Sequence, residues 1–234
     1  MQKNKKIIIF GDQEYAEIAF EYFTHDSNYE VAAFTVEKDY LTNSTFCQLP
    51  VIAFEDIATL YPPFEYDMHI AIVYTNLNRV REKIFSAAKT RGYHLATYIS
   101  SRAFVWHNVK IGDNCFIFEN NTLQPFVEIQ NNVVLWSGNH IGHGSVIEDN
   151  CFISSHVVIS GSCRVGRNTF IGVNSTIGNH VVIGCESWVS PAAMITKNIP
   201  DHSHVKGLTS EVAPLNEKLL FKILSSVKRV EKIE

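Results

Sequence analysis

From Ile99 to Ile195 every sixth residue of this chain is aliphatic, seventeen in succession with no insertion to break the count. The run includes Ile117, Leu135, Ile153, Ile171 and Val189, each eighteen residues after the one before. A helix repeats its faces every 3.6 residues and a strand every two, so neither alone accounts for a period of six. A solenoid side does. If each hexapeptide is a short strand plus a corner, three of them close a triangular coil, and the aliphatic residues stack inside the prism.

The residues between the aliphatics agree. Four places after each comes a small or medium side chain such as Cys115, Ser145, Cys151, Cys163 or Ser175. Immediately after six of the aliphatics stand Gly112, Gly142, Gly166, Gly172, Gly178 and Gly184, expected where the backbone turns with φ that other residues resist. Within a two-residue strand, the side chain beside the inward aliphatic faces out. Phe116, Val134, Phe152 and Phe170 occupy such places, and outward aromatics in a row predict a subunit interface along a prism face.

Residues 1–95 alternate apolar runs with amphipathic stretches. Strands are predicted at Lys6–Phe10, Val31–Val36, Met68–Val73 and His94–Ile99, and helices at Glu14–Phe23, Phe54–Leu60 and Leu77–Thr90. That pattern is a small βαβαβ, Rossmann-like α/β domain. Parallel sheets of this kind bind ligands beyond the carboxyl ends of their strands. Here those places are Gly11–Gln13, Thr35–Glu37 and Tyr74–Asn78, and within them Gly11, Asp12, Gln13, Thr35, Tyr74, Thr75 and Asn78 are the candidate substrate-binding residues. Only Gly11 stands where a dinucleotide fingerprint needs three glycines, which argues against NAD, and Asp12 is placed to cap the following helix. Residues 96–207 form the predicted β-helix. In the tail, 208–234, Leu219, Leu220, Ile223, Leu224 and Val227 recur at helical spacing, predicting a short C-terminal helix over Asn216–Val230 that caps the open end of the solenoid.

A formal charge of −4 with no basic run gives no sign of nucleic-acid binding, and no segment reaches the length of a membrane span. Five cysteines are poorly spaced for bridging, and three of them fill small corner positions of the repeat, so a cytoplasmic protein with packed thiols is expected.

The repeat resembles that of the hexapeptide-repeat acyltransferases, whose fold is a left-handed parallel β-helix. With the α/β domain in front, the chain resembles more closely the sugar acetyltransferases of the sialic acid O-acetyltransferase and bacillosamine N-acetyltransferase type. That resemblance implies acetyl-CoA as donor, a nucleotide-linked amino sugar held by the first domain, and a homotrimer with CoA lying between subunits. In such enzymes the base is a histidine four residues before a repeat aliphatic, which here is His143 before Ile147, and a glycine amide one coil later, Gly161, receives the thioester oxygen. Histidine suits the task because its ordinary pKa near 6.5 leaves it basic at neutral pH.

His140, outside the prism, is a second catalytic candidate. His156, Val173, Pro191 and Lys197 join Gly161 as candidates along the CoA arm. The family often places a carboxylate directly after the base. This chain has Gly144, leaving Glu148, Asn139 or a neighbouring subunit to orient the ring. No metal is expected, since the zinc enzymes of the same fold need three converging imidazoles. Three alternatives stay open beside the sugar N-acetyltransferase: a sugar O-acetyltransferase, a non-catalytic nucleotide-sugar-binding scaffold trimer, and a zinc hydrolyase, which would carry stoichiometric metal.

Overall fold

The computed structural model describes residues 2–210 and Pro214. The C-terminal helix expected over 216–230 lies outside the described residues.

The first domain opens with strand β1 (Lys5–Phe10), helix α1 (Glu14–His25) and strand β2 (Tyr29–Val36). A hairpin follows, β3 (Thr45–Phe46) and β4 (Leu49–Ala53), then α2 (Ile57–Leu60), β5 (Asp67–Ile70) and α3 (Arg79–Thr90). Sheet order is β3-β4-β2-β1-β5, parallel except for the β3–β4 pair. The sequence pattern predicts neither strand of this hairpin, because Pro50 cannot donate to a ladder and argues against a strand. The chain tolerates it because Pro50 pairs only with Thr45, and bonding to β2 begins one residue later at Val51. Residues 94–97, expected as strand, contribute one bridge, Leu95 to Met68, before the prism begins.

From Tyr98 to Val205 the chain winds through two-residue strands that stack into three parallel sheets, the arrangement of a left-handed parallel β-helix. Face I runs from Tyr98–Ile99 through Phe116–Ile117, Val134–Leu135 and onward to His204–Val205. Face II runs from Phe104–Val105 through His140–Ile141 to Met194–Ile195, and face III from Lys110–Ile111 to Val182–Ile183. Ile117, Leu123, Leu135, Ile141, Ile147, Ile153 and Ile159 are completely buried in the one core that fills the prism. Cys115, Cys151 and Cys163 pack in the same core, and burial pushes the Cys115 and Cys151 thiols up to about 12.

Turning is not the work of the repeating glycines. Gly112, Gly142, Gly166, Gly172 and Gly184 have no left-handed φ. Their need is steric: a Cβ on Gly142 would lie 2.5 Å from Ser160 C, and one on Gly166 2.5 Å from Cys185 N, both backbone atoms of the next coil. The left-handed φ falls two residues further on, where Asn114, Asn132, Asn150, Asn168 and Asn174 take values between 53° and 62°. Asparagine tolerates that region because its short amide compensates locally. At the vertex between faces III and I these amides also bond one another. The Nδ2 of Asn114 donates to Asn132 (2.8 Å), Asn132 to Asn150 (2.8 Å) and Asn150 to Asn168 (3.1 Å). Ile70 N donates into the first (2.8 Å), and the last donates to Glu82 of α3 (2.7 Å).

Face I is where the two domains meet. The outward side chains Phe116, Val134, Phe152 and Phe170 are buried under the chain's own first domain and share a core with Tyr15, Ala19 and Phe23 of α1, so they are not the subunit interface the sequence predicts. The repeat dictates which side chains leave the prism interior but not what covers them. Rings stack up this face from Phe118 on Trp136 (4.3 Å) to Phe170 on Trp188 (4.1 Å). Arg81 of α3 clasps the seam from inside. It is fully buried, donates to the carbonyls of Asn150 (3.0 Å) and Cys151 (3.1 Å), and stands over the Phe152 ring. With no carboxylate beside it, burial brings its pKa down to about 10.

Candidate functional site

A cavity of about 740 Å³ opens beyond the carboxyl ends of β1, β2 and β5. Gly11, Asp12, Gln13 and Thr75 line it, as does Glu37 from the Thr35–Glu37 stretch, together with Tyr15, Tyr40 and Thr42, which sequence reasoning did not select. Gly11 is required there, since its φ of +126° suits few other residues and a Cβ would lie 2.8 Å from Ala71 O. Asp12 does not cap α1. Gln13 takes the N-cap place, and its amide donates to Asp12 Oδ1 (3.1 Å), leaving the carboxylate at the cavity wall.

Three further candidates stand apart from the cavity. Thr35 is fully buried, its hydroxyl donating to Ile52 O (2.8 Å), because the last residues of β2 are covered on both sides. Asn78 is also fully buried, at the left-handed N-cap of α3. Tyr74 lies over the aromatic stack, 4.5 Å from the Phe170 ring and 5.0 Å from Phe152.

The vertex between faces II and III carries a different chemistry. Its middle column reads His107, Pro125, His143, Gly161, Asn179 and Lys197, one residue per coil. His143 is exposed, and its backbone is held on both sides: the N–H donates to Gln124 Oε1 (3.0 Å), and the carbonyl accepts from Ser162 N (2.8 Å). The ring lies across Gly161. A Cβ there would sit 2.5 Å from His143 Cε1 and 2.7 Å from Nε2, so only a glycine leaves room for the imidazole in this position. The Gly161 N–H, expected as a free donor, already donates to Asn179 Oδ1 (2.9 Å).

Neither residue of this chain expected to orient the ring is available. Glu148 pairs with Arg164 and accepts from Arg167 N (2.9 Å) at another vertex. Asn139 is buried, its amide bonded to Trp136 O (2.6 Å) and Val157 N (2.8 Å).

The other candidates are dispersed. His140 is half-buried on face II, beside Thr122 and Val158. Lys197 shares the His143 vertex, whereas His156, Val173 and Pro191 stand on the vertex between faces I and II. His156 packs its ring on Gly138, where a Cβ would meet its Nδ1 at 2.6 Å. Among the described residues no three His, Cys, Asp or Glu side chains group as a metal site, and no helix is long and apolar enough to cross a membrane.

Residues 126–161 match the family described as bacterial transferase hexapeptide, six repeats. No curated protein matches the sequence. Among solved structures, the fold is similar to the acetyltransferase domain of PglB from Neisseria gonorrhoeae in complex with acetyl coenzyme A. The two are 21% identical over 86% of this chain and 95% of that one, with a TM-score of 0.77. It is similar also to PerB from Caulobacter crescentus in complex with CoA and GDP-perosamine, at 19% identity over 89% and 97% of the chains and a TM-score of 0.76. WeeI from Acinetobacter baumannii is 20% identical over 86% and 96%, with a TM-score of 0.66. At these identities the likeness is one of fold.

Proposed function

We propose that the protein is an acetyl-CoA-dependent acetyltransferase acting on the amine of a nucleotide-linked amino sugar, a 4-amino-deoxy sugar in the first instance. The observation that carries this reading is the exposed His143 imidazole laid across the backbone of Gly161 at a β-helix vertex. There it meets a ligand that runs along the prism axis. Two solved proteins of like fold hold acetyl-CoA in one case and CoA with GDP-perosamine in the other, which supports both the donor and the acceptor class. The 740 Å³ cavity at the strand ends is the place for the nucleotide sugar.

In the reaction the sugar nitrogen attacks the thioester carbonyl carbon and a C–N bond forms. His143 accepts the proton the nitrogen sheds. The tetrahedral oxyanion collapses, the C–S bond breaks, and the departing thiolate recovers the proton from the imidazolium. Such general-base assistance contributes about 10²–10⁴-fold.

The first domain covers face I, and His143 stands on the vertex opposite that face. Cavity and base of one chain therefore lie on opposite sides of the prism. A homotrimer in which each cavity serves a neighbour's histidine supplies the missing proximity. Face II supports it: its outward residues Phe104, Thr122, His140, Val158, Thr176 and Met194 carry no carboxylate, lysine or arginine, and Phe104 and Met194 are 54% and 72% exposed. A CoA arm clasped between two such subunits touches Gly161 and Lys197 of one and His156, Val173 and Pro191 of the other. The neighbour is also the remaining source of a group to orient His143. The free thiols, three of them buried at Cys115, Cys151 and Cys163, support a cytoplasmic enzyme.

Calorimetric titration with acetyl-CoA, with and without a panel of UDP-, dTDP- and GDP-linked amino sugars, tests the reading. Saturable CoA binding and release of free thiol with one sugar are expected. A folded protein that binds no CoA refutes it. His143→Ala is expected to lower kcat by about 10²–10⁴-fold, and normal turnover in that variant refutes the base.

A further inference from the structure

The Gly161 N–H is the natural donor for a thioester oxygen brought beside His143, yet Asn179 Oδ1 occupies it at 2.9 Å. The same contact recurs at the vertex between faces III and I. Asn131 Oδ1 accepts from Asp113 N (3.0 Å), Asp149 Oδ1 from Asn131 N (2.8 Å), and Asp201 Oδ1 from Cys185 N (2.7 Å). A prism corner thus accepts an amide or a carboxylate equally well as partner for the backbone N–H of the neighbouring coil. What distinguishes Asn179 is its neighbour, the glycine against which the exposed ring of His143 lies.

An oxyanion at the Gly161 N–H meets Oδ1 as a second acceptor for a single hydrogen, and the two oxygens repel. A carboxamide can resolve this and a carboxylate cannot. Asn179 is exposed, so half a turn about its terminal bond exchanges Oδ1 for Nδ2. Nδ2–H and Gly161 N–H then point at one place and cannot satisfy each other. A negatively charged oxygen between them accepts from both.

We propose that Asn179 is a catalytic residue, the second donor of the oxyanion site, holding the Gly161 amide while the site is empty and turning its NH₂ to the thioester oxygen when acetyl-CoA is bound. This rests on the acetyl-transfer reading above. The resting hydrogen bond keeps the donor oriented and excludes water, and the rotation converts a closed pair into two convergent donors.

Asn179→Asp is the decisive substitution, because it keeps size and acceptor while it removes the ability to donate and sets a carboxylate charge beside the developing oxyanion. Asn179→Ala, which removes the donor without adding charge, is measured beside it. The fold tolerates aspartate in this role, as Asp149 and Asp201 demonstrate. The variant is expected to keep its Tm and its calorimetric affinity for CoA, while kcat for acetyl transfer falls about 10²–10³-fold with little change in sugar KM. Asn179→Ala loses the donor but also frees the Gly161 amide, so its kcat falls less, by about 10-fold.

Wild-type kcat in the Asp variant overturns the proposal and leaves Asn179 a structural partner. So does an Ala variant slower than the Asp variant, and so does a fall in kcat matched by an equal loss of CoA affinity. Wild-type protein that binds no CoA refutes the acetyl-transfer reading itself, and that is established before any substitution is made.

Discussion

Acidification should destabilise this fold through one side chain, His69 on β5. The residue is 1% exposed and packs between Phe23 (5.2 Å) and Phe116 (5.3 Å) at the seam of the two domains. Nδ1 lies 2.9 Å from Ala96 O, and since a carbonyl only accepts, Nδ1 carries the hydrogen and Nε2 is bare. Nε2 has no partner among the described residues, and protonating it means burying a charge in an aromatic pocket near the Arg81 guanidinium. Burial first, and Arg81 in addition, bring the folded-state pKa down to about 4, against an ordinary 6.5 in the unfolded chain. Between those values the unfolded state binds more protons, so stability rises with pH. The contribution is complete above about pH 6.5 and is lost as pH falls toward 4. From pH 7 to pH 5 the loss is about 2 kcal/mol for this one group.

The assay is urea unfolding of the wild type and His69→Asn at pH 7, 6 and 5, at one protein concentration. Asparagine preserves the donor to Ala96 O and does not titrate in this range. Carboxylates and the other histidines cancel in the comparison, so the wild type is expected to lose about 2 kcal/mol more than the variant over the interval. Equal losses in the two proteins would falsify the account of a neutral, buried His69.

Gly161→Ala places a Cβ 2.5 Å from His143 Cε1, and the exposed ring must swing aside by about 1 Å. Turnover is expected to fall about 10²-fold with Tm nearly unchanged, and turnover within threefold of wild type would show that the ring position is immaterial. Arg81→Ala strands the carbonyls of Asn150 and Cys151 and leaves a void over Phe152. It is expected to cost about 3 kcal/mol or more by denaturant unfolding, and a cost below about 1 kcal/mol would remove Arg81 as the clasp between the domains.

The prism was legible because its signal is arithmetic: one aliphatic in six, each with one direction to point. The aromatic row on face I shows the boundary of that legibility. Period identifies Phe116, Phe152 and Phe170 as outward, but solvent, a second subunit and the chain's own domain are equal covers until the first domain is docked. Thr35 and Asn78 were selected by position at strand ends, and position does not reveal that neighbouring elements close over them. The glycines carried the right emphasis for the wrong reason, since close stacking of coils excludes a Cβ where φ is unremarkable. Asn179 had a signal that went unused. Aligning the chain at eighteen residues rather than six puts His143, Gly161 and Asn179 in one column, and only the longer period separates the three vertices.

The ladder of amides from Asn114 to Asn168 also works as a ruler. Every carboxamide in it faces the same way, because a backbone N–H enters at Ile70 and a carboxylate terminates it at Glu82. Those two ends belong to the first domain and stand three coils apart, about 14 Å at ordinary strand spacing. Coil number between them is therefore locked to the distance from β5 to α3. Removing or inserting one coil there would keep the core filled and still leave an end of the ladder unmatched. Arg79 extends the lock one step by pairing with Glu186. Among the described residues the first domain makes no such demand beyond Glu186, so a solenoid of this design is free to differ in length at its far end and is held to one length beneath the docked domain.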